Sequence, residues 1–432
     1  MPSIRSRTVV FPGEIRPATV RFEEGVIVEI GDGPADADFG ELAILPGLVD
    51  AHVHLNEPGR TGWEGFATGT RAAAAGGTTT IVDMPLNSIP PTIDLGALRR
   101  KREAADGQTE VDVAFWGGIV PGSEHSIAAL VDEGVCGFKA FLVDSGVPEF
   151  PPMTLAGLRR ALPGLAGTPL LVHAEDPALL RPPSGDPRAY ANYLATRPGD
   201  AEAAAIDSVA LLAEVNPVHV LHVAGAEAVE ALRRHRPRCA LSAETCPHYL
   251  TFAADEIPYG STAHKCAPPI RTAEDRETLW EALADGTLAM VVSDHSPAPP
   301  EVKDPQEGDL IAAWGGIASV GQRLVATWDG ARRRGHDLMR VAEWLATAPA
   351  RLAGLGHRKG SISEGYDADL VVFDPEGATL IAAASLLQRH PVSPYDGMRL
   401  AGNVVATYLA GVQIHGTGAV PGRHGRQLRR GG

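Results

Sequence analysis

The sequence predicts an α/β fold: a (β/α)8 TIM barrel with a small β-sandwich domain formed by both chain ends. Three observations carry this prediction. First, eight short apolar runs recur through the middle of the chain, at 48–55, 78–84, 111–119, 135–142, 170–174, 218–223, 239–245 and 288–293. Second, helix-like patterns follow most of them, at 63–75, 95–105, 126–133, 155–162, 201–214, 226–234 and 273–284. Near-continuous apolar strands that alternate with helices describe a parallel sheet covered on its outside, and eight such units over roughly 250 residues describe a closed barrel. Third, both ends of the chain switch to short strands with Gly and Pro turns, and neither end is large enough to bury a core alone.

Taken in order, residues 3–45 read as short strands, with apolar or alternating runs at 18–22 and 25–30. Residues 1–45 are assigned to the N-terminal part of the sandwich, 46–358 to the barrel, and 359–432 to the C-terminal part of the sandwich and a tail. A further helical pair at 318–334 and 338–355 follows the eighth strand. Beyond it, 360–374 reads as turn then strand, and 404–409 and 411–415 as two more short strands. The basic tail from Arg423 to Arg430 is short and Gly-rich and is expected to fray.

The chain has 432 residues, 44% of them hydrophobic, and a formal net charge of −15. Such an acidic balance argues against a nucleic-acid or anionic-membrane partner. No apolar run has membrane-spanning length, and residues 1–10 show no hydrophobic core of a secretory signal. The four cysteines, Cys136, Cys239, Cys246 and Cys266, form no CxxC pair. Reduced thiols in a cytoplasmic setting are the simplest reading.

Barrels place their chemistry at the C-terminal ends of strands. The first strand ends in His52 and His54, which lie two apart and so face the same side. The fourth carries Lys139 inside Gly-Phe-Lys-Ala-Phe, the fifth His173, the sixth His222, and the eighth Asp294 in Val-Val-Ser-Asp-His. One histidine in such a run is an ordinary core residue with its hydrogen bonds met. Six polar groups at five strand ends are not explained by packing, because each costs several kcal/mol unless it is paired or bound to metal. Lys139 has a further property. Burial and nearby positive charge lower a lysine's pKa, and a neutral amine adds to CO2 to give an anionic carbamate that can bridge two divalent ions. Its bland alternative is a structural ion pair. His295 follows Asp294 on a strand and so points away from the barrel interior, in a supporting role. Trp314-Gly315-Gly316 reads as a loop over the site.

With these motifs in place, the chain resembles the amidohydrolase superfamily, in its cyclic-amidase branch of dihydroorotases, hydantoinases and allantoinases. The likeness covers nearly the whole chain, through PGLVDAHVH, GFKAF, LVHAE, VLHVAG, VVSDHSP and GSISEGYDADLVVFD. It implies that His52, His54 and Asp294 bind one metal, that His173 and His222 bind a second, and that carboxylated Lys139 bridges them. Two divalent ions are implied, zinc first, with cobalt, manganese or iron as alternatives. Asp294 is the implied catalytic acid–base. A homotetramer is implied because relatives are often tetramers.

Within the branch, dihydroorotases resemble HxHxR, with the arginine on a substrate carboxylate; here that position is Asn56. They also carry Asn before Pro-Pro and His four after the strand-eight Asp, where this chain has Ala267 and Ala298. Hydantoinases carry Tyr five residues after the bridging lysine, where this chain has Asp144. The stretches 54–60, 63–70, 83–91, 145–151, 244–249, 265–271 and 314–317 resemble allantoinases instead. The implied small-molecule substrate is allantoin, opened to allantoate, with Asn56, Asn87 and Ser296 as substrate-contact candidates. Each also has a local reading, Asn56 and Asn87 as loop-shaping residues and Ser296 as a turn cap. The remaining alternatives are a hydantoinase or dihydropyrimidinase-like enzyme, and a catalytically dead scaffold. The scaffold should show lost ligands, whereas all six positions are filled.

Overall fold

The computed structural model describes residues 1–432. Eight parallel strands form the barrel: β1 Leu48–Val53, β2 Thr78–Asp83, β3 Asp112–Phe115, β4 Phe138–Phe141, β5 Leu170–His173, β6 Val218–Val220, β7 Leu241–Thr245 and β8 Met290–Val291. Every residue of β1, β2, β3, β4 and β5 is buried, as both-face coverage requires. The strands pair in sequence order on either side of two seams. At the β3–β4 seam, Gly117 and Gly118 pair with Phe138 and Lys139. An added Cβ on Gly117 would lie 2.7 Å from the Phe138 ring, so no larger residue fits. At the β8–β1 seam, His54 N–H donates to the His295 carbonyl at 2.8 Å. Arg323, fully buried, donates to the carbonyls of Val49 (3.0 Å) and Val291 (3.1 Å) and so joins the first strand to the last.

The two chain ends share one sheet. Ala43–Pro46, from the N-terminal part, lies parallel to Ser3–Phe11 and antiparallel to Leu370–Leu380 from the C-terminal part. The sandwich core draws on both ends, with Val9, Val20, Phe22 and Ile27 packed with Ile362, Leu370, Val372 and Tyr408. Val371 and Phe373, on the other face of that strand, join the large barrel core. No helix is long and apolar enough to cross a membrane. All four cysteines are free.

Three expectations are corrected. The tail does not fray: the N–H of Leu428 donates to the Val113 carbonyl (2.8 Å), and the N–H of Val113 to the Arg426 carbonyl (2.9 Å). The tail thus supplies backbone partners that β3 would otherwise lack, and Leu428 is buried under it. The helix expected at 318–334 begins only at Arg323, because the backbone of Ser319 and Val320 turns inward onto His295. The pattern at 338–355 is broken into Leu338–Ala342, a π-turn at Glu343–Thr347, and Ala348–Leu352. Pro349 has no N–H to continue the regular ladder.

Candidate active site

A cavity of about 540 Å³ opens at the C-terminal ends of the strands, and His54, Lys139, His173, His222 and Asp294 line it. His52 is fully buried just behind this wall. The Nε2 of His52 stands 3.1 Å from Lys139 Nζ and 3.1 Å from Asp294 Oδ1, and the Nε2 of His54 stands 3.6 Å from the same Asp294 oxygen. His173 Nδ1 faces His222 Nε2 at 3.0 Å. The six residues nominated from the sequence therefore converge on one buried spot. The strands end in tight bends there. His222 and Asp294 hold φ of 37° and 44°, a region that non-glycine residues occupy rarely and mostly at functional positions.

Residues that sequence reasoning passed over set the tautomers. Glu244 accepts from His52 Nδ1 (2.6 Å) and from His219 Nε2 (3.0 Å), which places the His52 proton on Nδ1 and aims the Nε2 lone pair inward. Glu175 sits 2.6 Å from His173 Nε2 and does the same for that ring's Nδ1. Burial pushes the Glu175 carboxyl up, but Arg197 and His173 outweigh it and bring it down to about 2. Arg197 holds it with two hydrogen bonds of 3.0 and 2.5 Å. Glu175 carried a readable signal, since it follows His173 by two. Arg197 lies in a loop where no periodicity points to it.

The donor set fits a divalent metal. One ring nitrogen each of His52 and His54 and an Asp294 oxygen lie within 4.8 Å of one another, a spacing and a donor chemistry that suit one divalent ion. The facing His173 Nδ1 and His222 Nε2, 3.0 Å apart, offer a second pair of ring nitrogens. Burial, with Lys139 next for His52 and His54, keeps the imidazoles neutral and hence ligating. Burial lowers the Lys139 ammonium toward the neutral amine and raises the Asp294 carboxyl.

The remaining nominated residues separate. Asn87 lines the cavity with φ of 68°, and its side chain lies 3.3 Å from His54 Nδ1. Ser296 also lines it. Asn56 does not reach the cavity wall: its backbone turns at φ 64° and its amide donates to the Pro297 carbonyl at 3.2 Å, tying the loop after β1 to the loop after β8. His295 is turned away from the donors, as expected, with Nε2 at 3.3 Å from Glu64 and Nδ1 accepting from the N–H of Ser319 at 3.1 Å. Trp314 and Gly315 form part of the cavity wall.

A model of the amidohydrolase family matches residues 43–414. The chain is 46% identical to an allantoinase of Streptomyces avermitilis, over 99% of this chain and 98% of that protein. It is 42% identical to an allantoinase of Saccharomyces cerevisiae, over 96% and 95%. Among solved structures, the L-hydantoinase (dihydropyrimidinase) of Arthrobacter aurescens superimposes with a TM-score of 0.92 at 29% identity, covering 100% of both chains. The dihydropyrimidinase of Brevibacillus agri gives 0.88 at 28%, over 99% of this chain and 98% of that one. With strand ends, donor set and these likenesses in agreement, the chain belongs to the amidohydrolase family.

Proposed function

We propose that this chain is a metal-dependent cyclic amidohydrolase that opens the hydantoin ring of allantoin to allantoate. The observation that carries the reading is the convergence of four imidazoles, Lys139 and Asp294 at one buried end of the cavity. His52, His54 and Asp294 would hold one ion and His173 and His222 a second, with zinc the first choice and cobalt, manganese or iron suited to the same donors. Lys139, held toward neutrality by burial, would add through its amine to CO2 with loss of a proton, and as N6-carboxylysine would supply the anionic ligand shared by the two ions. When bound, the ions polarise the ring carbonyl and acidify the attacking water.

The protein's own part is proton transfer and orientation. Asp294 takes the water's proton and delivers it to the leaving ring nitrogen as the C–N bond breaks. Asn87 and Ser296 line the cavity and would hydrogen-bond the ring's amide groups. At the sequence positions where the dihydroorotase pattern has its carboxylate-binding Arg, Asn and His, this chain has Asn56, Ala267 and Ala298, so a neutral ring is favoured. The allantoinase relatives support allantoin as that ring. The hydantoinase neighbours support a second reading, in which the preferred ring is an unsubstituted hydantoin or a dihydropyrimidine.

The test is turnover by enzyme loaded with metal in the presence of bicarbonate, with allantoin, hydantoin and dihydrouracil as substrates, beside a Lys139→Ala variant. The expected result is preferred opening of allantoin and a loss of more than ~100-fold in the variant. Preference for hydantoin or dihydrouracil would move the substrate to the second reading and leave the metal site standing. Full activity in Lys139→Ala would remove the bridging role.

A further inference from the structure

Two lysines outside the metal site lie in the loops that cover the cavity, and they are spent very differently. Lys303 is buried, and its ammonium donates to the carbonyls of Lys265 (2.8 Å), Trp314 (2.9 Å) and Gly316 (2.5 Å). An ammonium carries three donors, so Lys303 is fully used. It pins the backbone of Lys265 to the turn that contains Trp314 and Gly316.

Lys265 is 8% exposed and lies on the cavity wall. Two of its donors go to the carbonyls of Ile311 (3.0 Å) and Ala313 (2.5 Å). The third has no acceptor in the protein. The ammonium also lies over the Tyr193 ring, 5.2 Å from its centre, a contact that uses no hydrogen-bond acceptor. The neighbouring wall residue is Gly315, where an added Cβ would stand 3.9 Å from Lys265 Cε, so glycine keeps side-chain atoms off this part of the wall. Burial, reinforced by Arg197, lowers the lysine to about 8, so it pays for its position and gains from any acceptor that completes its shell.

We infer that Lys265 is a specificity-determining residue that donates a hydrogen bond to the carbonyl of a ureido or carboxamide substituent on the substrate's ring, an inference that rests on the reading of the site given above. The ring must lie against Lys139, His222 and Asp294 for its amide to be opened. The cavity exceeds what one five-membered ring fills, and the same wall continues to Lys265. One remaining N–H suits a neutral carbonyl. A carboxylate substituent would call for a two-pronged arginine, and the nearby fork of Arg197 is already occupied by Glu175.

The test compares holoenzyme of the parent, Lys265→Met and Lys265→Arg. Allantoin opening is measured for each, with hydantoin, which lacks the substituent, titrated in as a competitor. In Lys265→Met the KM for allantoin is expected to rise about tenfold or more, while hydantoin inhibition moves less than about threefold, and Lys265→Arg recovers part of the loss. A parallel weakening of both ligands, or no change in either, would overturn the inference. A second measurement on the parent stands even if Lys265→Met fails to fold. There, 5-propylhydantoin, which fills the same length without a carbonyl, should bind about tenfold more weakly than allantoin. Equal binding would refute the role of Lys265. Failure of the parent to open allantoin would instead refute the functional reading itself.

Discussion

At the residue scale, Glu244 accepts from His52 and His219 at once, and both of its oxygens are thereby committed. Replacing it by Gln would let an amide N–H approach His52 Nδ1, move the imidazole proton to Nε2, and close that nitrogen to a metal. Glu244→Gln is therefore expected to weaken metal retention 10- to 100-fold, roughly the range for groups that orient ligands, with unchanged far-UV circular dichroism. Metal content after graded chelator treatment checks this; parental retention would remove Glu244 from the design. His248 offers a prediction of another kind. It is fully buried with neither ring nitrogen partnered, and burial, then Lys303, lowers it to about 3. Its folded pKa lies below the unfolded value of about 6.5. The unfolded chain therefore takes up a proton first, and stability is lost as pH falls through the window from 6.5 to 3. Between pH 7 and 5 this loss amounts to about 2 kcal/mol, and His248→Phe should lack it. Identical pH slopes of the denaturation midpoint in the two proteins would contradict this. The clustering of the four histidines, Lys139 and Asp294 was legible because each interrupts an apolar run at a strand end. Of the two readings open for Asn56 the loop-shaping one matches its place, which a sequence does not decide because it does not show that the backbone turns at φ 64°.

At the scale of elements, the cavity is shaped by loops that lean on one another. The indole of Trp314 meets that of Trp63 edge-on at 4.9 Å and donates to the Ser296 carbonyl at 3.2 Å. Arg60 lies over Trp63, at 5.3 Å from the ring centre, and pairs with Glu149 in the loop after β4. Trp63 is not part of the cavity wall, yet it fixes Trp314, which is. An aromatic pair of this kind contributes about 0.5–1.5 kcal/mol, so Trp63→Ala should raise KM roughly 2- to 12-fold through loss of order in the loop. Steady-state kinetics separate the cases, since a fall in kcat at constant KM would mean that the pair serves the chemistry instead. Helices were legible where their ends are locally encoded. The patterns at 95–105 and 273–284 match Leu95–Ala105 and Ala273–Ala284, with Asp94 and the Thr272–Asp275 capping box marking their starts. They were illegible where tertiary contacts override the pattern, as at Ser319 and Val320, whose N–H groups are taken by His295.

At the scale of the whole molecule, barrel and sandwich are locked at the face away from the cavity. Lys359, buried, reaches Asp112 (2.6 Å), Asp367 (2.8 Å) and Asp369 (2.7 Å), and the tail's Arg426 adds contacts to Asp112 (3.4 Å) and Asp367 (3.3 Å). The three carboxylates could be mistaken for a metal site, but Lys359 already supplies the cation. Removing it leaves buried negative charge uncompensated, so Lys359→Met should cost about 3–5 kcal/mol in chemical denaturation. The tail completes the junction. Arg423 pairs with Glu110 (2.6 Å), the N–H of Arg426 donates to Asp112 (2.7 Å), and Arg430 donates to the Cys136 carbonyl (3.0 Å). None of this could be read from a Gly-rich basic stretch, whose partners lie some 300 positions earlier in the chain. Deleting residues 422–432 removes the buried Leu428 together with the backbone partners of β3. The burial of one leucine alone contributes about 1.5–3 kcal/mol, and the denaturation midpoint should fall accordingly. Because these contacts lie at the N-terminal ends of the strands and the chemistry at the C-terminal ends, kcat/KM at 25 °C should stay within about twofold of the parent. A truncated chain of parental stability but impaired turnover would show the reverse, a tail that acts on the site through the barrel rather than on the fold beneath it.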